Sequence, residues 1–198
     1  RMNIIQSFYN NLATQYDKLF LDWESTVKEQ AEILNSIFRD HGFDNNATVL
    51  DCACGIGTQA IGLASLGYYV SASDISEGEL AEAKKRAVDH QVELHLKQAD
   101  FCALSEIFQE KFEIIIAMDN ALPHMLTAED LENAIQSIVN QIKPNGIFVA
   151  SIRDYDSMLL DKPPYSPPYI HKTMNGQRVS FQTWDWTGDI YKLTQYII

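Results

Sequence analysis

Positive charge is scarce in this 198-residue chain: 15 lysines and arginines stand against 27 aspartates and glutamates, a formal net charge of −12. Non-specific affinity for DNA or RNA comes from neutralising phosphates, so so acidic a surface argues against a nucleic-acid partner. The one basic cluster, Lys84-Lys85-Arg86, falls within a helical pattern and reads as a solvated face. Cysteine is sparse too. Cys52, Cys54 and Cys102 make neither a disulfide framework nor paired ligands at zinc spacing, so no metal is expected. Cys52 and Cys54 read as small apolar filler. No apolar run reaches the roughly 20 residues of a membrane span, and no charged-then-apolar leader is present. A cytoplasmic protein without a membrane partner is expected.

What is present is a regular alternation of strands and helices. The apolar fraction of 46% and charged fraction of 21% suit one globular domain over residues 1–198. Thr26 and Glu29 form a capping-box pattern ahead of Val27, Ala31, Leu34 and Phe38, which predicts a helix over 26–41 stopped by Gly42. A strand at 49–51, a helix at 58–66 and a strand from Tyr68 to Asp74 follow. Ser76 and Glu79 repeat the capping-box spacing and open a helix to about His90. Val92, Leu94 and Leu96 alternate into a third strand. Phe112–Met118 is almost continuously apolar, as a strand buried on both faces must be. Leu131, Ile135, Ile138 and Ile142 mark a helix over 127–142, and Lys143-Pro-Asn-Gly146 turns the chain into a strand at 147–152. This order predicts an α/β fold with a doubly wound, Rossmann-like, mostly parallel sheet. Ligands of such sheets bind at the carboxyl edge of the strands.

Residues 49–59, Val-Leu-Asp-Cys-Ala-Cys-Gly-Ile-Gly-Thr-Gln, place a strand, a small-residue turn and a helix start in succession. Such a turn lets a ligand touch backbone, and the helix start offers unpaired N–H groups. Gly55-Ile-Gly57-Thr-Gln-Ala60 also satisfies the dinucleotide fingerprint, with Asp74 near the distance of a ribose-binding acid. Asp51 discriminates. A carboxylate beside a pyrophosphate is repelled, whereas one beside a sulfonium and an ammonium is attracted. S-adenosyl-L-methionine is therefore favoured over NAD.

Asp51-Cys-Ala53-Cys-Gly55-Ile-Gly57 resembles motif I of class I S-adenosylmethionine-dependent methyltransferases, with Ala53 replacing the first glycine. The resemblance runs through Asp74, Asp100 and the Met118–His124 loop, over about residues 45–155. Arg153-Asp-Tyr-Asp156 resembles the Arg-Asn-Tyr-Asp element of glycine and sarcosine N-methyltransferases. The resemblance implies cofactor contacts from Asp51, Ala53, Gly55, Gly57, Asp74, Ile75, Asp100, Phe101, Met118 and Trp23. Asp74 would hold the ribose hydroxyls, and Asp100 with Phe101 the adenine. It implies acceptor contacts from Asn120 and Arg153, whose fork would clamp a carboxylate. An ion pair of Arg153 with Asp154 or Asp156 is the structural alternative. His124 and Tyr16 are the implied catalytic residues, with Tyr9 a weaker candidate beside them. For His124 the alternative is an ordinary loop residue, and for the N-terminal aromatics core packing.

The implied activity is methyl transfer to a small molecule, in this branch the nitrogen of an amino acid such as glycine or sarcosine. An O- or C-methyltransferase, a non-catalytic S-adenosylmethionine-binding module and an NAD-dependent oxidoreductase are the alternatives, and a homo-oligomer is left open. Residues 1–44 read as an N-terminal helical cap and 45–156 as the cofactor-binding core. Residues 157–198 read as a proline-rich loop followed by an antiparallel hairpin around Thr187-Gly-Asp189. Pro163–Tyr169 is expected as a lid or linker. The hairpin serves as the closing edge of the family's sheet, or the chain is truncated at its C-terminus; truncation is the expectation.

Overall fold

A computed structural model describes residues 2–173 and 176–198. Five strands make one parallel sheet: β1 (Thr48–Asp51), β2 (Tyr69–Asp74), β3 (His95–Gln98), β4 (Phe112–Ala117) and β5 (Ile142–Ala150). Their order is β3-β2-β1-β4-β5. The winding reverses between β1 and β4, and a crevice opens beyond the carboxyl ends of those two strands. Register makes the ends level, since Asp51 pairs with both Ala72 and Ile116.

Burial explains the sheet. Val49, Leu50, Ile114, Ile115 and Ile116 are wholly inaccessible because helices cover both faces. Helix α2 (Trp23–Asp40) buries the expected Val27, Ala31, Leu34 and Phe38 against α3 (Thr58–Ser65). It starts three residues early. Asp22 caps it, accepting from the Ser25 N–H at 3.3 Å, so the Thr26–Glu29 box is not used. Helix α4 (Glu77–Asp89) takes Ser76 as its cap, as expected. In α6 (Ala128–Gln141) the buried face is Ala134, Ser137 and Ile138, while Leu131 stays 40% exposed.

Three further boundaries differ from expectation. Val92 and Leu94 precede β3 and pack with Trp23, Ile56 and Ile61 instead of pairing. Lys143–Gly146 is a bulge within β5, because pairing passes from Phe112–Ile142 to Ile114–Ile147. Gly146 is required there: a Cβ would lie 2.6 Å from the Glu113 carbonyl oxygen. Helix α5 (Leu104–Ile107) is a single turn before β4.

The C-terminal part holds the largest correction. After α7 (Tyr155–Asp161), a helix the apolar pattern did not announce, β6 (Tyr169–Thr173), β7 (Gly176–Thr187) and β8 (Ile190–Ile197) build a separate antiparallel sheet. The β7–β8 hairpin turns at Gly188 and Asp189 as predicted, yet it does not extend the five-stranded sheet. Pro163–Tyr169 connects α7 to β6 and lies against β7. Prolines lack the N–H of a ladder but keep their carbonyls. Trp184 N donates to Pro164 and Trp186 Nε1 to Pro163, each at 2.8 Å, which straps the stretch along β7.

Helix α1 (Met2–Leu12) and a 3₁₀ stretch (Ala13–Leu19) form the N-terminal cap. Asn10 Oδ1 accepts from Ser76 Oγ at 2.6 Å and from the Gly78 N–H at 3.0 Å, seating α1 on the start of α4. Gln6 adds a bond to the Ile75 carbonyl. That docking brings Tyr9 and Tyr16 over the crevice. Among the described residues no helix is long and apolar enough to cross a membrane.

Candidate active site

The crevice is a cavity of about 670 Å³, within the range of small-molecule sites. Of the sequence-predicted residues, Ala53, Gly55, Asp74, Ile75, Asp100, Phe101, Met118, His124 and Tyr16 all line it. Asp51, Gly57, Trp23, Asn120 and Arg153 do not.

Asp51 lies beneath the loop. It is fully buried, one oxygen accepts the Ala53 N–H at 3.4 Å, and Oδ2 has no partner. Burial, with the charges of Asp74 and Asp119, pushes its carboxyl up to about 8. Gly57 serves packing: at φ +89° it caps α3, and a Cβ would meet Ile61 at 3.1 Å and Ala83 at 3.3 Å. Trp23 is an anchor between helices. Its Nε1 donates to Thr58 Oγ1 at 3.0 Å, and the Arg86 guanidinium lies 4.6 Å from its ring centre.

Asp74 is the best-held carboxylate on the wall. Oδ2 accepts the Gly55 N–H and Oδ1 the Ser76 N–H, each at 2.9 Å. Burial raises its pKa against those two bonds. Each oxygen keeps a lone pair for a ligand hydroxyl. Asp100 caps a short 3₁₀ turn through the Cys102 N–H at 2.9 Å and leaves Phe101 half-buried at the cavity.

His124 Nε2 meets the Tyr9 hydroxyl at 2.8 Å. Desolvation lowers the His124 pKa, while burial pushes the Tyr9 phenol well up. Nearby, Asn120 ties three elements: its Oδ1 accepts the Arg153 N–H at 3.2 Å, and its Nδ2 donates to the Tyr155 hydroxyl at 2.7 Å. Arg153 donates to the Tyr191 hydroxyl at 3.3 Å and to Gln182 Oε1 at 3.1 Å, with its guanidinium 5.6 Å from the Trp184 ring centre. No carboxylate pairs with it among the described residues; Asp154 caps α7 instead. The Arg153 charge still reaches Tyr9, where it acts to lower the phenol's pKa.

Tyr9, Gln59, Glu79 and Asp119 also line the cavity. Asp119 and Asn120 both have left-handed backbones, φ +53° and +72°, an uncommon succession for residues other than glycine. Asp119 Oδ2 accepts from Gln59 Nε2 at 2.8 Å. The signal was the Asp-Asn pair directly after a buried strand. Glu79 carried no such signal, because its position fits a helix cap equally well.

Among the described residues lining the cavity there is no lysine or arginine, whereas Asp74, Glu79, Asp100, Asp119 and Asp130 are there. A pyrophosphate would find carboxyl groups there and no lysine or arginine to pair with. Two buried carboxyl oxygens, Asp51 Oδ2 and Glu79 Oε1, have no hydrogen-bond partner. Residues 49–146 match the family described as methyltransferase domain. The chain carries a methyltransferase domain over those residues.

The chain is 27% identical over 154 residues to a glycine/sarcosine N-methyltransferase of Parasynechococcus marenigrum, covering 78% of the chain and 53% of that relative. It is 34% identical over 122 residues to an uncharacterized protein of Haemophilus influenzae, covering 60% and 46%. The chain spans about half the length of these curated relatives. A solved S-adenosylmethionine-dependent methyltransferase from Clostridium acetobutylicum superposes with a TM-score of 0.67 at 20% identity, covering 96% of this chain and 79% of that one. An amino pentose methyltransferase from Micromonospora echinaspora gives 0.70 at 13% identity, covering 87% and 75%. These structural likenesses speak to the fold alone.

The buried carboxyls at this site set a pH dependence. Burial, then the Asp74 charge, pushes Glu79 up to about 9, and Asp51 stands at about 8. Both values lie above those of the unfolded chain, so the native state keeps protons that the unfolded state has lost. Stability of the ligand-free protein is therefore expected to fall as pH rises from 7 to 9, a window above the histidine range. Thermal melts across that window check it, and a rising melting temperature would contradict the assignment.

Proposed function

We propose that this methyltransferase binds S-adenosylmethionine in the β1–β4 crevice and methylates the nitrogen of a small carboxylate-bearing amine, such as glycine or sarcosine. The observation that carries the cofactor reading is the set of carboxyl groups, with no lysine or arginine among the described residues, on the wall around Gly55, which suits a sulfonium, an ammonium and sugar hydroxyls. Asp74 would accept the hydroxyl protons, Asp100 and Phe101 would meet the base, and Met118 the adenosyl part.

When bound, the cofactor supplies an electrophilic methyl whose leaving group is a neutral thioether, so no acid is required. What the chain contributes is alignment and exclusion of water, which can be worth several kcal/mol. Tyr16 and the Tyr9–His124 pair would close the site from the N-terminal side. His124, on the cavity wall, would be the group placed to take the proton that an ammonium acceptor loses before attack.

The acceptor reading rests on Arg153. Its guanidinium has only uncharged partners, so it is available to a substrate carboxylate. The glycine/sarcosine relatives favour the same class of acceptor.

The test is calorimetric titration with S-adenosylmethionine and, separately, NADH, followed by a labelled-methyl assay on glycine, sarcosine and uncharged amines or phenols. Saturable S-adenosylmethionine binding with turnover of the amino acids is expected. For Arg153→Lys, KM for the amino acid is expected to rise about tenfold or more with kcat less affected, because the bidentate fork is lost. An unchanged KM would remove Arg153 from acceptor binding. Turnover of phenols alone would make the domain an O-methyltransferase, and binding without any turnover would make it a cofactor-binding module. Binding of NADH alone would overturn the reading.

A further inference from the structure

Glu79 does half of what its capping-box position predicts. Its N–H donates to Ser76 Oγ at 3.1 Å, but the reciprocal bond is absent, because the Ser76 N–H goes to Asp74 Oδ1. The carboxyl turns into the cavity instead. Glu79 is only 2% exposed, and its Oε1 has no hydrogen-bond partner. Its Oε2 stands beside the glycine turn, 3.3 Å from where a Cβ on Gly55 would lie. The Gly55 N–H already serves Asp74 Oδ2 at 2.9 Å. Two carboxyl groups from the β2–α4 junction thus flank one peptide of the cofactor turn.

The surroundings decide the form of the second carboxyl. Asp74 from β2 faces it, and Tyr9 from α1, Tyr16 from the 3₁₀ stretch and Cys54 from the turn stand within electrostatic reach of it. No cation stands among them. A desolvated carboxyl beside a carboxylate keeps its proton. The pair then offers what vicinal hydroxyls need from both sides: Asp74 accepts protons, and a carboxylic acid O–H can donate to a hydroxyl oxygen.

We propose that Glu79 is a second sugar-reading residue of the cavity, its acid O–H donating to a ribose hydroxyl oxygen of the bound nucleoside while Asp74 accepts the hydroxyl protons. This rests on the cofactor reading above. It makes Glu79 a binding residue, with no charge set against the sulfonium.

Calorimetry on the wild-type protein, E79Q and E79L tests it. The ligands are S-adenosylmethionine, the neutral S-adenosylhomocysteine, and the 2′-deoxy and 3′-deoxy forms of the latter, with ligand-free melts as folding controls. E79Q keeps a donor and is expected to bind every ligand within about threefold of wild type. E79L is expected to bind both ribonucleosides about tenfold more weakly, the scale of one hydrogen bond. That deficit should vanish on whichever deoxy form lacks the partner hydroxyl. Equal binding by E79L, or a deficit undiminished on both deoxy forms, would overturn the proposal. So would an E79Q that loses S-adenosylmethionine but keeps S-adenosylhomocysteine, since Glu79 would then act as a counter-charge. Should E79L fail to fold, the pH profile decides: wild-type affinity for S-adenosylhomocysteine falls between pH 8 and 10 more steeply than that of E79Q, and parallel profiles refute the donor role. If the wild type binds neither nucleoside, the cofactor reading fails and takes this proposal with it. Wild-type binding with E79L unaffected sinks this proposal alone.

Discussion

Asp74→Ala is expected to weaken S-adenosylmethionine binding by at least about a hundredfold. Hydrogen bonds to a charged group contribute about 1.5–3 kcal/mol each, and a ribose offers two hydroxyls to this carboxylate. Two such bonds exceed the roughly 2.7 kcal/mol of a hundredfold change. The substitution also frees the Gly55 and Ser76 N–H groups, both held by Asp74 at 2.9 Å, so the turn itself loosens. Asp74→Asn separates the two effects. It keeps one acceptor oxygen for the turn but loses the charge, and it should bind between wild type and alanine. Calorimetry gives the affinities, and ligand-free melting shows whether the fold survives. Affinity of Asp74→Ala within threefold of wild type would remove this carboxyl from the site.

The largest stability effect is expected at Gly62, in the middle of α3. A Cβ there would lie 2.6 Å from the Val27 carbonyl oxygen and 2.7 Å from the Ala31 Cβ. Neither neighbour is a flexible side-chain end; both belong to the facing turn of α2. Helix propensity favours any replacement by up to about 1 kcal/mol, but forcing packed backbones apart costs about 1–3 kcal/mol or more. For the larger, β-branched valine, Gly62→Val, the crowding wins. We expect a loss of about 3 kcal/mol, a fall in melting temperature of about 6–12 °C for a chain of this size. Gly42→Ala is the control. Its backbone is left-handed at φ +87° but nothing lies within 4 Å of the new Cβ, so only about 1 kcal/mol of backbone strain applies. Urea unfolding of the two variants compares them, and equal midpoints would show that α2 and α3 are free to separate.

The five-stranded sheet and its helices were legible because local pattern and tertiary role coincide. Phe112–Ala117 is apolar throughout because both faces are covered, and α2 repeats its apolar residues at the spacing of the face it buries. The acidic strand ends and the glycine turn follow from the same logic, since β1, β2 and β4 finish level. Failures fell where two partners compete for one residue. Asp22 and Thr26 both suit a cap, and the backbone entry into α2 chose Asp22. Val92 and Leu94 alternate like a strand but found Trp23 and Ile61.

The sequence alone therefore determined the class of fold, the sheet edge that carries the crevice and several of the residues that line it. Each depends on neighbours within one strand–turn–helix unit. The tertiary structure alone decided the rest. Docking of α1 on α4 brought Tyr9 to His124 across 115 positions of chain. Folding of a separate C-terminal sheet gave Arg153 its uncharged partners, Gln182 and Tyr191. The packed wall turned Glu79 from a helix cap into the cavity. Those outcomes turn on which buried polar group finds a partner and which does not, and that is a property of the assembled interior.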